Sequence, residues 1–318
     1  MTQAEVEEIN TQASVLMKRG IAFLEEPQRE AAIDALHCFD EALELRRRVP
    51  IDHSPFQVYL LAGCLFNRAD ALARMGDVGP SATALNSYDE GIAAMRRIPL
   101  AENPLYPRRL ALGLQNRGLA LQARGREGDA ELAAESFIAA HDVLDQDHSR
   151  AIEDLACLRG VVWLNLANLR GMQGTSDGFA AARDAAMRAI GAVEGLETND
   201  VNAAATGLQA RHVLCRICAH GLSQADGENM PEDVHEATDA VDDGLDLVRA
   251  WEQRGVPYFR QLAFDLFRFG ARVYARYQPQ FLDEFIADNT NASASSPDYV
   301  NSPEMMTAAH EARQLVPE

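Results

Sequence analysis

The stretch GLQNRGLALQARG, residues 113–125, recurs in altered form 49 residues to either side. GCLFNRADALARMG occupies residues 63–76, and VVWLNLANLRGMQG occupies residues 161–174. A bulky residue stands at the same place in these stretches and in an N-terminal copy, and a small residue follows four positions later. These columns are Leu16, Leu65, Leu114 and Trp163, then Gly20, Ala69, Gly118 and Ala167. A fixed period of this length indicates a repeat protein.

The second half of each repeat has its own columns. Eleven residues after the bulky position stands a residue that ends helices, namely Pro27, Gly76, Gly125 or Gly174. An alanine, an aromatic and a small residue then follow at helical spacing. They are Ala35, Ala84, Ala133 and Ala182, then Phe39, Tyr88, Phe137 and Ala186, then Ala42, Gly91, Ala140 and Ala189. Each repeat is therefore predicted to be a pair of helices with a shared core face.

These columns resemble the tetratricopeptide repeat (TPR), although the unit of 49 residues exceeds the usual 34. The resemblance implies an all-α fold: a right-handed superhelical solenoid of antiparallel helix pairs with a C-terminal capping helix. We expect helices of about 20 residues, because the additional residues must lengthen either the helices or the links. The domain prediction is a solenoid of about five pairs over 1–255, a capping helix region over 256–288 and a flexible tail over 289–318 with room for a short helix.

Composition and charge narrow the function classes. The chain has 48 acidic and 29 basic residues, for a formal net charge of −19, which disfavours nucleic-acid partners. Neither a targeting segment nor a membrane-spanning apolar run is recognisable, so we expect a cytoplasmic protein. The five cysteines lie mostly inside apolar helical patterns and are expected to be reduced, buried thiols.

The recurring stretch also contains a column of asparagines on one face of the first helix. Two positions after the bulky residue, at about 200° around the helix from the core-facing stripe, the sequence has Asn67, Asn116 and Asn165, with Lys18 in the first copy. In a TPR stack this face of the first helix lines the concave surface. An amide matches the N–H and C=O groups of an extended peptide, so we predict an asparagine ladder. Specificity would come from neighbours on the same face: Asp70, Arg74, Leu119, Asn168 and Met172.

Two structural alternatives stay open at this point. Each asparagine could instead hydrogen-bond an adjacent helix of the stack, as most partly buried amides do. The arginines one position later, Arg19, Arg68 and Arg117, are more often solvated or paired with an acid than in contact with a ligand.

The sequence contains only weak candidates for metal-binding or catalytic motifs. HVLCRICAH contains His212, Cys215, Cys218 and His220, but at helical spacing these side chains point in different directions and do not converge on one metal. The sequence shows no phosphate loop, nucleophile elbow or distinctive carboxylate pair. We therefore expect no catalytic residue, no metal, no cofactor and no enzyme activity.

The C-terminal third has an unusual charge. Residues 249–278 contain six arginines and two acidic residues, and Val256 to Tyr277 is predicted to form one amphipathic helix rich in aromatics. Arg268, Arg272 and Arg276 lie four apart and could contact a filament or anionic lipid, while the alternative is a capping helix whose arginines pair with the acidic stack.

Within the TPR family, WLNLA at 163–167 is similar to the LNNLA-type helices of kinesin light chains, and the elongated repeats resemble the bacterial light chains encoded beside bacterial tubulins. This resemblance implies an adaptor that binds a tubulin-type cytoskeletal filament and has no motor. Three hypotheses follow: a filament adaptor, a scaffold that binds extended peptides through the asparagines, and a membrane tether acting through the basic aromatic helix.

Overall fold

The computed structural model describes residues 1–50, 54–75, 82–150, 152–224, 232–290 and 302–316. Within these ranges every regular element is a helix, which confirms the all-α prediction. The chain forms two compact units, Met1–Leu155 and Ala156–Glu318, here called unit 1 and unit 2. The domain boundaries predicted from the sequence, at residues 255 and 288, are not tested by this division and stay predictions.

Unit 1 contains three long helix pairs, a 3-10 turn before the third pair and two short elements after it. The pairs are α1 (Gln3–Glu25) with α2 (Arg29–Arg47), α3 (Pro55–Met75) with α4 (Ala82–Met95), and α5 (Leu105–Arg124) with α6 (Asp129–Leu144). The short elements are α7 (Asp147–Arg150) and two 3-10 turns at Leu100–Glu102 and Glu153–Leu155. Each helix packs on the next, and α3 contacts both α1 and α5, so the first helices of successive pairs are neighbours.

The predicted repeat register is confirmed by burial. Ala35, Ala84 and Ala133 are buried, and so are the aromatic and small residues that follow them in the same columns. The small residue of the first helix makes room for the aromatic of the second: a Cβ added to Gly20 would lie 2.5 Å from Phe39. Gly118 stands in the same relation to Phe137, at 2.6 Å.

The residues beyond the usual repeat length extend the first helices and the links. α3 begins at Pro55 and α5 at Leu105, well before the bulky residues Leu65 and Leu114. The predicted glycine stop is seen at Gly125, which caps α5 in the left-handed conformation with φ of 62°. Gly76, predicted to end α3, lies outside the described residues.

Unit 2 contains two helix pairs followed by three further helices. Its elements are α8 (Ala156–Met172), α9 (Ser176–Val193), α10 (Val201–Gln224), α11 (Glu232–Gln253), a 3-10 turn at Pro257–Phe259, α12 (Arg260–Tyr277), α13 (Pro279–Thr290) and α14 (Pro303–Arg313). The prediction of one helix from Val256 to Tyr277 was wrong at its start, because a 3-10 turn precedes α12. Pro257 has no N–H to donate, which suits the first turn of a helix.

The C-terminal helices share a core. α12 packs on α11, α13 and α14, and Phe267 stacks on Phe285 with ring centroids 5.5 Å apart. The predicted short helix of the tail is α14, whose Met305 and Ala312 are buried. Ser302 caps α14 by accepting the backbone N–H of Met305 at 3.2 Å.

Candidate functional site

A groove runs across the neighbouring first helices of unit 1. Side chains from α1, α3 and α5, with Arg46 from α2, enclose about 570 Å³. We call this the α1–α3–α5 groove. Three of the predicted binding residues, Asn67, Asp70 and Asn116, line it together with Lys18 from the same column. The face predicted from the repeat register is therefore the face that forms the groove.

Asn116 and Asp70 are hydrogen-bonded to each other across successive repeats. The Nδ2 of Asn116 lies 3.2 Å from the Oδ1 of Asp70, and the hydroxyl of Tyr88 donates to the same carboxyl oxygen. Burial raises the pKa of Asp70, and the hydrogen bonds from Tyr88 and Asn116 oppose that rise without cancelling it. The structural alternative for the asparagines therefore holds at Asn116, which bonds an adjacent helix while also lining the groove.

Asn67 differs from Asn116 in having a free amide. Within the described part of the chain its half-buried side chain makes no hydrogen bond, although it lines the same groove. The amide can therefore donate and accept toward a molecule in the groove without first breaking an internal bond.

The other predicted binding residues lie elsewhere. Asn165 and Asn168 are half-buried on α8 of unit 2, and Asn168 donates to the carbonyl of Leu164 at 3.1 Å. Arg74 points to the end of α1, where it donates to the carbonyls of Leu24 and Glu26. Of the two remaining neighbours on this face, Leu119 lies beside Asp70 and Asn116 in a smaller cavity of about 250 Å³, and Met172 is 72% exposed on α8.

The arginines that follow the asparagines are structural in two repeats. Arg68 donates from Nε to Asp40 at 2.6 Å, and Arg117 donates from Nε to Asp89 at 2.7 Å. Arg19 instead lies over the ring of Phe23, 5.4 Å from its centroid. The expected pairing with acids is thus present at Arg68 and Arg117.

Three groove cations were not anticipated from the sequence. Arg46 is 3% exposed and donates to the hydroxyl of Ser14 at 3.1 Å, and burial lowers its pKa. Arg109 donates to the hydroxyl of Tyr59 at 2.8 Å, with its guanidinium carbon 3.9 Å from that ring. Arg108 is exposed at the groove edge.

Gly63 is the sequence feature that relates to the position of Arg109. A Cβ added to Gly63 would lie 1.8 Å from its guanidinium, so the glycine leaves the space that the arginine occupies. Arg46 lies in the last turn of α2.

The predicted contact residues of α12 are all exposed. Arg272 lies 3.8 Å from Glu311, Arg276 lies 5.5 Å from the ring centroid of Tyr277, and Arg268 has no ion pair with any described residue. Part of the aromatic set that membrane insertion would use is occupied in the core: Phe259 and Phe267 are buried, and Tyr274 donates to Asp242 at 2.7 Å. Phe264, Phe269 and Tyr277 are half-buried. The membrane hypothesis therefore depends on the arginines and these three aromatics, and flotation with anionic vesicles would test it.

The cysteines of α10 are core residues. Cys215 and Cys218 are buried, burial raises the pKa of the Cys215 thiol, and none of the five cysteines, all of which lie among the described residues, is in a disulfide bond. Burial lowers the pKa of the neighbouring His212. No group of three or more His, Cys, Asp or Glu among the described residues could hold a metal ion. The side chain of His220 lies outside the described set.

Comparison with known proteins gives a structural likeness alone. No protein-family model matches the chain, and no curated protein matches its sequence. The structure is similar to BtubC (BKLC) from P. vanneervenii, with a TM-score of 0.52 and 14% identity over 88% of this chain and 89% of that one. It is also similar to the nuclear import adaptor Nro1 from S. pombe, with a TM-score of 0.56 and 11% identity over 96% of this chain and 99% of that one.

The chain therefore has a helical-repeat fold. The similarity to BtubC agrees with the light-chain resemblance noted in the sequence. At these identities the likeness extends to the fold and not to a partner. None of the described helices is both long enough and apolar enough to span a bilayer.

Proposed function

We propose that the protein is a non-enzymatic interaction scaffold whose α1–α3–α5 groove binds an extended polypeptide segment. The observation that carries this proposal is the amide of Asn67, which bonds no described residue, on a groove lined by exposed apolar side chains. Ile21, Leu105 and Leu112 line the groove and are 44%, 46% and 37% exposed. An amide beside such side chains matches a peptide, which presents N–H, C=O and apolar groups along one strand.

The polar groups of the groove support binding more than catalysis. Asp70 is engaged by Tyr88 and Asn116, and the Ser14 hydroxyl donates to the carbonyl of Asn10 at 2.6 Å. A general base must lie within hydrogen-bond reach of a nucleophile or substrate proton, and the Ser14 hydroxyl bonds the backbone of its own helix and Arg46 rather than Asp70.

The test is selection of peptides from a random 12-residue library on the wild-type protein. We expect selected peptides to bind the Asn67→Ala variant about fivefold more weakly, since one lost hydrogen-bond pair is worth about 1 kcal/mol. Asn86→Ala is the matched control, because Asn86 is exposed on α4 and does not line the groove. Equal binding by both variants, or failure to select any peptide, would refute the proposal.

A second candidate function is an adaptor for a tubulin-type filament. The similarity to BtubC favours it, together with the light-chain resemblance of the first helices. The chain is strongly acidic overall, with a net charge of −19, so contact with an acidic filament surface would have to use a basic region. Arg268, Arg272 and Arg276 are exposed on α12 and provide such a region.

Co-sedimentation with polymerised bacterial tubulin tests this second candidate. We expect saturable pelleting of the wild type, and loss of pelleting when Arg268, Arg272 and Arg276 are all changed to Glu. The control carries the same charge change at three exposed arginines of unit 1, Arg48, Arg97 and Arg126. If the wild type stays in the supernatant at micromolar concentrations, the filament candidate is excluded.

A further inference from the structure

Asp70 holds one of the two asparagines of the α1–α3–α5 groove in a fixed orientation. The Nδ2 of Asn116 lies 3.2 Å from Oδ1 and 3.5 Å from Oδ2 of Asp70, and both side chains line the groove. A carboxylate only accepts hydrogen bonds, so the NH2 group of Asn116, and not its oxygen, must face Asp70. The hydroxyl of Tyr88 donates to the same Oδ1 and holds the carboxyl group in place.

This orientation leaves the amide oxygen of Asn116 for a ligand. Asn116 is half-buried, and its Oδ1 makes no hydrogen bond with any described residue. The buried side-chain atoms without a hydrogen-bond partner do not include this oxygen, so it is accessible from the groove. An amide oxygen in this position can accept a backbone N–H of an extended segment.

Asn67 lacks this restraint, although it has the same repeat position. Asp70 precedes Asn116 by 46 residues, and the residue at the same distance before Asn67 is Ile21, which lines the groove and offers no acceptor. The amide of Asn67 can therefore rotate to meet either an N–H or a C=O group of a bound segment. The two asparagines thus differ in what they can recognise.

We infer that Asp70 is a positioning residue that presents the oxygen of Asn116 to the bound segment, so that the groove requires a backbone N–H at one position of that segment. This inference rests on the proposed function and adds a selectivity to it. Proline has no N–H, so a segment with proline at that position is rejected. One obligatory N–H also fixes the register of the segment along the groove.

Backbone esters in a library-selected peptide provide the test. The peptide is one that binds Asn67→Ala more weakly than Asn86→Ala, which shows that it uses the groove. Each backbone amide is replaced in turn by an ester, which removes one N–H and adds no bulk. At about pH 8 we expect one replacement to weaken binding to the wild type about fivefold, as for one lost hydrogen bond, and to weaken binding to Asn116→Ala less than about twofold.

Variants of Asp70 separate positioning from a merely structural role. Asp70→Leu removes the acceptor, so the amide of Asn116 can turn its NH2 group to the ester oxygen, and we expect the ester effect to fall below about twofold. Asp70→Asn keeps one oxygen for both Asn116 and Tyr88, since both donate to Oδ1, and should restore the fivefold effect. Asp142→Leu, at an exposed position of α6 outside the groove, should behave as the wild type.

The outcomes distinguish this inference from the proposed function. An ester effect that is equal in Asp70→Leu and wild type, that Asp70→Asn does not restore, or that never depends on Asn116 would overturn the positioning role and leave peptide binding intact. If no library peptide depends on Asn67, the proposed function fails and this inference with it. Circular dichroism checks the fold of each variant, and Asp70→Ala, which adds no volume, replaces Asp70→Leu if the latter does not fold.

Discussion

Arg68 and Arg117 stand 49 residues apart and make the same two contacts. Each Nε donates to an aspartate on the second helix of the preceding repeat, Asp40 or Asp89, at 2.6 and 2.7 Å. Each Nη1 donates to a serine on the second helix of its own repeat, Ser87 or Ser136, at 2.6 and 2.7 Å. The arginine therefore joins three helices, and the repeat includes a polar contact as well as a packed core.

Replacing this arginine tests its contribution to stability. We expect Arg117→Met to lower the free energy of unfolding by about 1 kcal/mol, because Asp89 is half-exposed and Ser136 keeps its bond to the carbonyl of Leu132. Urea denaturation measures the change. Arg97→Met, at an exposed position without a described partner, is the control and should have little effect. A loss above about 3 kcal/mol would show that the contact stabilises the fold more than a half-exposed ion pair and one serine bond should.

Mutation of the buried ion pair of unit 2 should lower the free energy of unfolding much more than mutation of Arg117. Arg211 lies 2.5 Å from Glu197, and both residues are less than 10% exposed. Glu197→Gln leaves the guanidinium buried without a counter-charge, and we expect a loss of about 3–5 kcal/mol. Asp184→Asn removes the partner of Arg188 in an exposed pair and should cost less than about 0.5 kcal/mol. Similar losses in urea denaturation of the two variants would contradict this account.

Replacing a glycine at a helix contact by alanine should change stability in the opposite direction from replacing a glycine that has open space around it. A Cβ at Gly118 would lie 2.6 Å from Phe137, so Gly118→Ala should destabilise the protein by about 1–3 kcal/mol through overpacking. Gly191 is on α9 with nothing near its Cβ position, so Gly191→Ala should stabilise by up to about 1 kcal/mol through helix propensity. Thermal denaturation compares the two, and partial recovery in Gly118→Ala with Phe137→Leu would confirm the contact.

Asp70 should make stability depend on pH. Its pKa is raised in the folded protein above the ordinary value of 3.8, so the folded state holds the proton more tightly than the unfolded state. The contribution of this group to stability is therefore complete below pH 3.8 and is lost as the pH rises through the raised pKa. We expect Asp70→Asn to be more stable than wild type at pH 7, with a smaller difference at pH 4.

The control for this pH effect is Asp142→Asn, since Asp142 is exposed on α6. Urea denaturation of the three proteins at both pH values should show a pH-dependent difference for Asp70→Asn alone. A constant difference between Asp70→Asn and wild type at the two pH values would show that titration of Asp70 does not contribute.

The repeat core could be predicted from the sequence because its columns consist of small and aromatic residues whose roles repeat. Ala35, Ala84 and Ala133 are interchangeable positions, and the same packing recurs around each. The face of Asn67 and Asn116 followed from helical geometry alone. Periodicity therefore sufficed wherever the same environment occurs several times.

The groove cations were missed because they lie where the repeats differ. Arg109 comes from the extended start of α5, and its equivalents in the earlier repeats, Leu60 and Thr11, are not basic. The partner of Asn116 was also missed, since Asp70 is replaced by Ile21 and Leu119 in neighbouring repeats. A contact that occurs once leaves no periodic signal, and only the three-dimensional arrangement shows which side chains meet.

Photo-cross-linking of a library-selected peptide tests the central claim, that an extended segment binds in the α1–α3–α5 groove, most directly. Benzoylphenylalanine replaces Leu112, which lines the groove and is 37% exposed, or Leu132, which is 40% exposed on α6 outside it. We predict a cross-link to the peptide from position 112 and none from position 132. A cross-link from position 132 instead, or equal cross-linking from both, would show that the segment binds another face.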